Sequence, residues 1–138
     1  MAFDLNRFKE AQAEDYETAL EEIERGRKES HWIWYIFPQL KELGHSYNAK
    51  YYGIDGLDEA KAYMADAELR RNLLEITDAL LRQPDKDIHR VMGSPDDLKL
   101  RSCMTLFEAA APDCSVFGEV LDRFYSGERD DATLKLLA

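Results

Sequence analysis

Apolar residues in this chain recur at helical spacing almost from end to end, and no stretch alternates convincingly as a strand does. Asp4 is placed to cap a first short helix running through Gln12. Asp15 opens a second in which Tyr16, Ala19, Leu20 and Ile23 share one face, ended by Gly26 among Arg25, Arg27 and Lys28. The run Ser30 to Gln39 has strand-like composition but no neighbour to pair with, so we read a short helix capped by Ser30 and stopped before Pro38. A turn at Gly44-His45-Ser46 leads into another short helix that reaches Tyr52. From Gly56, Leu57, Ala60 and Met64 line a further helix. Asp66 starts what reads as the longest one, with Leu69, Leu73, Ile76 and Leu80 as its stripe and Pro84 beyond its end.

Asp87 to Met92 form a brief helical segment stopped by Gly93. Ser94-Pro95-Asp96-Asp97 then reads as a helix start, with serine at the cap, proline in the first position and carboxylates in the first turn. Leu100, Cys103, Met104, Phe107 and Ala111 make one apolar face, and Pro112 closes it. Val116, Val120, Leu121 and Phe124 define the next helix, and Asp131 to Leu137 the last. The pattern predicts an all-α fold: a compact single-domain bundle of eight or nine short helices over residues 1–138, packed orthogonally rather than as long up-and-down rods.

Composition narrows the class. A chain of 138 residues with 45% apolar and 11% aromatic content is long enough to bury one core without metal or disulfide help. Its net charge of −10, from 28 acidic and 18 basic residues, argues against general nucleic-acid binding, which requires a basic face. Cys103 and Cys114 are the only cysteines and have neither disulfide-framework nor zinc spacing. Met1 to Leu20 lacks a signal-peptide pattern and no window is apolar enough to span a bilayer. We therefore expect a soluble, cytoplasmic protein with no membrane association, and neither a metal nor a cofactor is implied.

Two segments depart from what core building demands. Ser30 to Gln39 packs His31, Trp32, Trp34, Tyr35 and Phe37 into seven residues, and His45 follows closely. One reading is an aromatic core plug with His31 making one structural hydrogen bond. The other has Trp32 or Trp34 stacking on a planar ring while His31 acts as donor or general acid–base. The second segment is Ser94 to Ser102. An i, i+4 pair between Asp97 and Arg101 explains it as ordinary helix chemistry. Alternatively, Lys99 and Arg101 hold a phosphate or carboxylate, with Ser102 and Thr105 as hydroxyl donors. Asp96 and Asp97 alone are too few oxygen ligands for a divalent cation. There is no phosphate loop, GxSxG, HExxH or EF-hand pattern.

At these segments the chain resembles the DUF1810 family, a domain of unknown function. The likeness rests on Ser30 through Gln39, Leu43-Gly44-His45-Ser46, Leu57-Asp58-Glu59-Ala60, Gly93 through Ser102, and Met104-Thr105-Leu106-Phe107. It runs from Asp4 to about Leu137, with Cys103 and Gly56 standing where the family pattern suggests serine. The resemblance implies a mainly helical fold and no established reaction. The name calpastatin attached to some members finds no calpain-inhibitor repeat here.

Two functions of different class follow. In one, the aromatic segment and the Lys99/Arg101 helix converge on a pocket for a small anionic, ring-bearing ligand such as a nucleotide or ADP-ribose-like molecule, with binding or hydrolysis following. There His31 is the catalytic residue, and Trp32, Trp34, His45, Lys99, Arg101 and Ser102 form the binding set. In the other, the domain is an acidic helical protein-interaction module without catalysis. The surplus of tyrosines is compatible with a homodimer.

Overall fold

In a computed structural model, which describes residues 3–138, the apolar stripes close on one another as helices. In chain order these are α1 (Asn6–Arg25), α2 (Ile33–Ile36), α3 (Tyr47–Tyr51), α4 (Gly56–Ala65), α5 (Ala67–Leu81), α6 (Ile88–Met92), α7 (Asp96–Ala110), α8 (Val116–Phe124) and α9 (Asp131–Leu137), with a 3-10 turn at Lys41–Leu43. Among the described residues the one strand-like feature is an isolated parallel bridge between Leu40 and Ile54. It is held by Lys41 N–H to the Ile54 carbonyl (2.9 Å) and Ile54 N–H to the Gln39 carbonyl (2.9 Å). The fold is all-α.

α7 lies at the centre because its sequence leaves it no wet side over its middle. Ser102 through Phe107 are all buried, which a helix tolerates only when neighbours surround it. α4, α6, α8 and α9 pack around it, and α5 joins α1 to α8 on the far side. The two hydroxyls in that stretch are satisfied locally. Ser102 Oγ donates to the Leu98 carbonyl (3.2 Å) and Thr105 Oγ1 to the Arg101 carbonyl (2.8 Å). The expected stripes of α5 (Leu69, Leu73, Ile76, Leu80) and α7 (Leu100, Cys103, Met104, Phe107) are all in the core.

Several local expectations are corrected. The two short helices read before Gly26 are one, α1, and at 20 residues it exceeds α5. Asp15 does not cap a new helix, because its carboxylate accepts the Tyr35 hydroxyl. Gln12, read as a helix end, is buried and bridges Asn72 and the Tyr35 carbonyl at 3.0 and 2.8 Å. Ser30 does not cap α2, since its side chain turns to α1. Ser94 does not cap α7 either. That helix begins at Asp96 after a cis Ser94–Pro95 peptide, with the Gly93 and Pro95 carbonyls receiving the first amides.

Asp4 does not cap α1, which follows Leu5 with no side-chain cap, because among the described residues no side-chain oxygen accepts its first amides. Other helix ends follow the sequence signals. Gly26 closes α1 in the left-handed region (φ 83°), returning its amide to the Glu22 and Ile23 carbonyls. Asp66 accepts from the amides of Glu68 and Leu69 at 3.1 Å, and Asp130 caps α9 through the Thr133 amide at 3.0 Å. Among the described residues no helix is long and apolar enough to cross a membrane.

Candidate functional site

The Ser30–Trp32 stretch closes on a carboxylate that its own motif does not contain. Glu22, on the inward face of α1, receives the amides of Glu29 (2.8 Å) and Ser30 (2.9 Å) and the Trp32 indole N–H (2.9 Å) on Oε1, and the Ser30 hydroxyl (2.6 Å) on Oε2. Burial by itself raises the carboxyl. The donations from Ser30, Glu29 and Trp32 outweigh it and lower the pKa to about 2. Lys28 closes the other side of the same knot. Its ammonium lies 2.8 Å from Asp96, 2.5 Å from the Ser30 carbonyl and 4.8 Å from the centre of the Trp32 ring.

This arrangement answers for several of the candidates. Trp32 is 1% exposed, with its donor committed to Glu22, so it presents no face to a ligand. Asp96 is tied to Lys28. His31 is exposed on the outside of the clasp, its carbonyl 3.4 Å from the Tyr35 hydroxyl. His45 is exposed in the turn before α3. Its neighbour Gly44 is required by packing, because a Cβ there would lie 2.3 Å from the Ala49 Cβ, and Ser46 caps α3 by accepting the Ala49 amide at 3.1 Å. Neither His31 nor His45 lines any of the concavities described below.

Two of the predicted residues do meet. α2 presents Trp34, half-buried, and α7 brings Lys99 across it, the ammonium 5.6 Å from the ring centre. Both line a cavity with Ile33, Phe37, Gln39, Ala49, Tyr52 and Gly53. Its free volume is only about 10 Å³, room for a single water, whereas a cavity that admits benzene is about 150 Å³. A planar ring does not enter between Trp34 and α3 as the chain stands.

Outside that cavity, Gln39 and Lys99 border an open groove of about 250 Å³ that continues along Leu43, Pro95, Leu98, Arg101, Ser102, Asp130 and Ala132. Arg101, Asp130 and Ala132 carry it into a second concavity of about 420 Å³ walled by Glu128, Arg129, Asp131 and Leu134. Among the described residues no carboxylate stands within 4.0 Å of the Lys99 ammonium. Arg101 does not pair with Asp97 as expected. Its Nη2 is 3.8 Å from Asp130, its guanidinium lies 5.9 Å from the Tyr125 ring centre, and its Nε is buried without an acceptor. Asp97 instead faces His89 at 3.4 Å and offers its carbonyl to the Tyr125 hydroxyl at 2.5 Å.

Ser102 borders the groove but is 7% exposed, with its hydroxyl committed to Leu98. Arg129 is anchored by Glu108 through Nε (2.9 Å) and Nη2 (2.5 Å), which holds the segment before α9 in place. Among the described residues the groove thus carries one lysine with no carboxylate within 4.0 Å and one arginine loosely paired with Asp130. Glu128 and Asp131 stand further along, and Leu98 and Leu134, both about half exposed, form the rim. Among the described residues no group of three or more histidine, cysteine or acidic side chains is placed to hold a metal ion. Burial pushes the Cys103 thiol far above its usual range, and Cys114 lies 3.3 Å from the Arg70 guanidinium.

Motif reading missed Glu22, Lys28, Gln39 and the α9 contribution of Asp130 and Ala132. One signal was present: Glu22 sits between Ala19 and Ile23 on the apolar face of α1, where a carboxylate needs a partner. Nothing local marks Asp130, because α9 reaches the groove only by packing against α7.

Comparison with known proteins agrees with the fold. A family model described as a protein of unknown function (DUF1810) matches residues 2–137. The crystal structure of the conserved hypothetical protein Rv1873 from Mycobacterium tuberculosis is similar throughout. The TM-score is 0.96 at 44% identity, covering 98% of this chain and 96% of that one. No curated protein matches the chain.

Proposed function

The chain belongs to the DUF1810 family, whose description assigns no function, and on that footing we propose that it binds a small anionic ligand in the groove between the Gln39 segment, α7 and the start of α9. The observation that carries this reading is the position of Lys99. On a chain with a net charge of −10, its ammonium is held against the Trp34 ring with, among the described residues, no carboxylate within 4.0 Å, one half-turn from Arg101. An anion placed there gains two charge-assisted contacts, one from the Lys99 ammonium and one from the Arg101 guanidinium.

A nucleotide or ADP-ribose-like molecule suits the groove in this way. The phosphate lies at Lys99 and Arg101, and the ring lies outside the closed Trp34 cavity, against Leu43, Pro95 and Leu98. Trp34 then serves to hold Lys99 rather than to stack on the ligand. Arg101 must leave Asp130 to take the anion, a small cost for a contact already at 3.8 Å. With His31 outside the groove, the reading is one of binding.

A thermal-shift series with AMP, ADP-ribose and inorganic phosphate tests it. Wild type should be stabilised by at least one of these, and Lys99→Ala and Arg101→Ala should each weaken the apparent affinity by about tenfold or more. Equal shifts in wild type and both variants, or no shift at all, would sink the proposal.

A further inference from the structure

A second surface, separate from the groove, has its own chemistry. Tyr47 and Tyr51, four apart on α3, are 77% and 45% exposed and stack face to face, with centroids 5.8 Å apart and planes 8° from parallel. Tyr51 meets Tyr52 edge-on at 4.8 Å, and Tyr52 packs against Tyr35 at 5.0 Å. The platform is rigidly mounted. Ser46 caps the start of α3, and Arg7 of α1 donates to the Tyr51 carbonyl at 2.8 Å and the Gly53 carbonyl at 2.9 Å.

Acids reach these rings from α1, while Lys50 on α3 and Lys41 beside Gly53 are the exposed cations of the same region. Beyond the burial of Tyr52, its phenol is raised by the neighbouring Tyr51 and Tyr47 and by the carboxylates of Glu10 and Asp15 on α1. Glu14 acts in the same sense on Tyr35, after burial and Asp15. Asp15 already accepts the Tyr35 hydroxyl, but Glu10 and Glu14 are exposed and, among the described residues, no cation lies within 4.0 Å of either. The cations of the same turns of α1 are taken, Arg7 by Glu59 at 2.9 Å and Lys9 by Asp66 at 2.7 Å.

Exposed stacked π-faces beside unpaired carboxylates suit a guanidinium, which stacks on the ring while its donors meet the acids. The geometry points to the Tyr47–Tyr51 face as a docking surface for an arginine-bearing basic segment of a partner protein. Charge complementarity decides the occupant, because a second copy of a chain at −10 would bring acid against acid.

Fluorescence anisotropy with a labelled Arg–Gly repeat peptide, at physiological salt, tests this against a Lys–Gly peptide of equal charge. Wild type should prefer the arginine peptide. Tyr47→Ala/Tyr51→Ala, which leaves the charge unchanged, should weaken it by about tenfold. Glu10→Gln/Glu14→Gln should weaken it by a few-fold, and Lys50→Ala, removing the basic residue of α3, should strengthen it. Circular dichroism checks that the variants fold, which exposed positions allow. Equal binding by wild type and the tyrosine variant would reduce the effect to general attraction by an acidic protein and overturn the proposal. So would no binding, or a concentration-dependent dimer in sedimentation that the tyrosine variant abolishes.

Discussion

Trp32 and Trp34 are two residues apart, yet they belong to opposite kinds of region. The clasp around Glu22 is a closed polar system, with three donors on one carboxylate oxygen, a hydroxyl on the other, and Lys28 balanced by Asp96. The groove around Lys99 is open, with an ammonium that, among the described residues, has no carboxylate within 4.0 Å and a guanidinium whose buried Nε has no acceptor. Both contain a tryptophan beneath a lysine, at 4.8 Å in the clasp and 5.6 Å in the groove. An unusual residue cluster therefore says little about function until its hydrogen bonds are traced. Satisfied groups hold a fold together, and unsatisfied ones at a surface are where a ligand has something to gain.

The sharpest break of that contrast is truncation of the two indoles. Trp32→Ala removes a fully buried ring and leaves Glu22 short of a donor, so it should cost about 3–5 kcal/mol in urea unfolding. Trp34→Ala, at a partly buried position on the edge of the core, should cost less than half of that. Comparable losses would mean that the two regions are not different in kind.

Acid titration follows in size. Glu22 is depressed from 4.5 to about 2, so its contribution is complete above the unfolded value and disappears as pH falls from about 4.5 through about 2. That amounts to about 3 kcal/mol. Stability measured from pH 5 to 2 should fall more steeply in wild type than in Glu22→Gln. Parallel curves would show that the clasp does not depend on the ionised carboxylate.

Gly44→Ala probes a motif residue whose role is steric. A methyl there meets the Ala49 side chain and its backbone, and overpacking of this kind should cost about 1–3 kcal/mol by thermal melting. His45→Ala, next door and exposed, should change stability by less than about 0.5 kcal/mol.

The smallest effects belong to the groove. Trp34→Phe removes an indole N–H that is buried without an acceptor, so it should be neutral within about 0.5 kcal/mol or slightly stabilising. Lys99→Ala should likewise leave the melting temperature nearly unchanged while weakening the ligand shift. A large loss of stability in either would move this region into the same class as the clasp.

Much of the fold was legible because helical periodicity and caps are local. The α5 and α7 stripes, the Asp66 cap and the limits of α9 follow from neighbours within a few residues. Three of the errors arose where a side chain with a familiar local use found a distant partner. Asp15 read as a cap and took Tyr35; Ser30 read as a cap and took Glu22; Asp97 read as the partner of Arg101 and lies by His89. The candidate groove was half legible. Lys99 does cross Trp34 and Arg101 does border the same groove, but Trp32, His31 and His45 do not join them.

By itself, then, the sequence determined the helical class, most of the helix limits and the apolar faces that form the core, because these depend on spacing along one segment. Only tertiary structure decided which polar groups of the Ser30–Gln39 segment are closed off and which face solvent. That choice rests on contacts between positions far apart in the chain: Glu22 against Trp32, Lys28 against Asp96, Asp130 against Arg101. No periodicity encodes them, since a hydrogen bond is set by where packing places donor and acceptor in space.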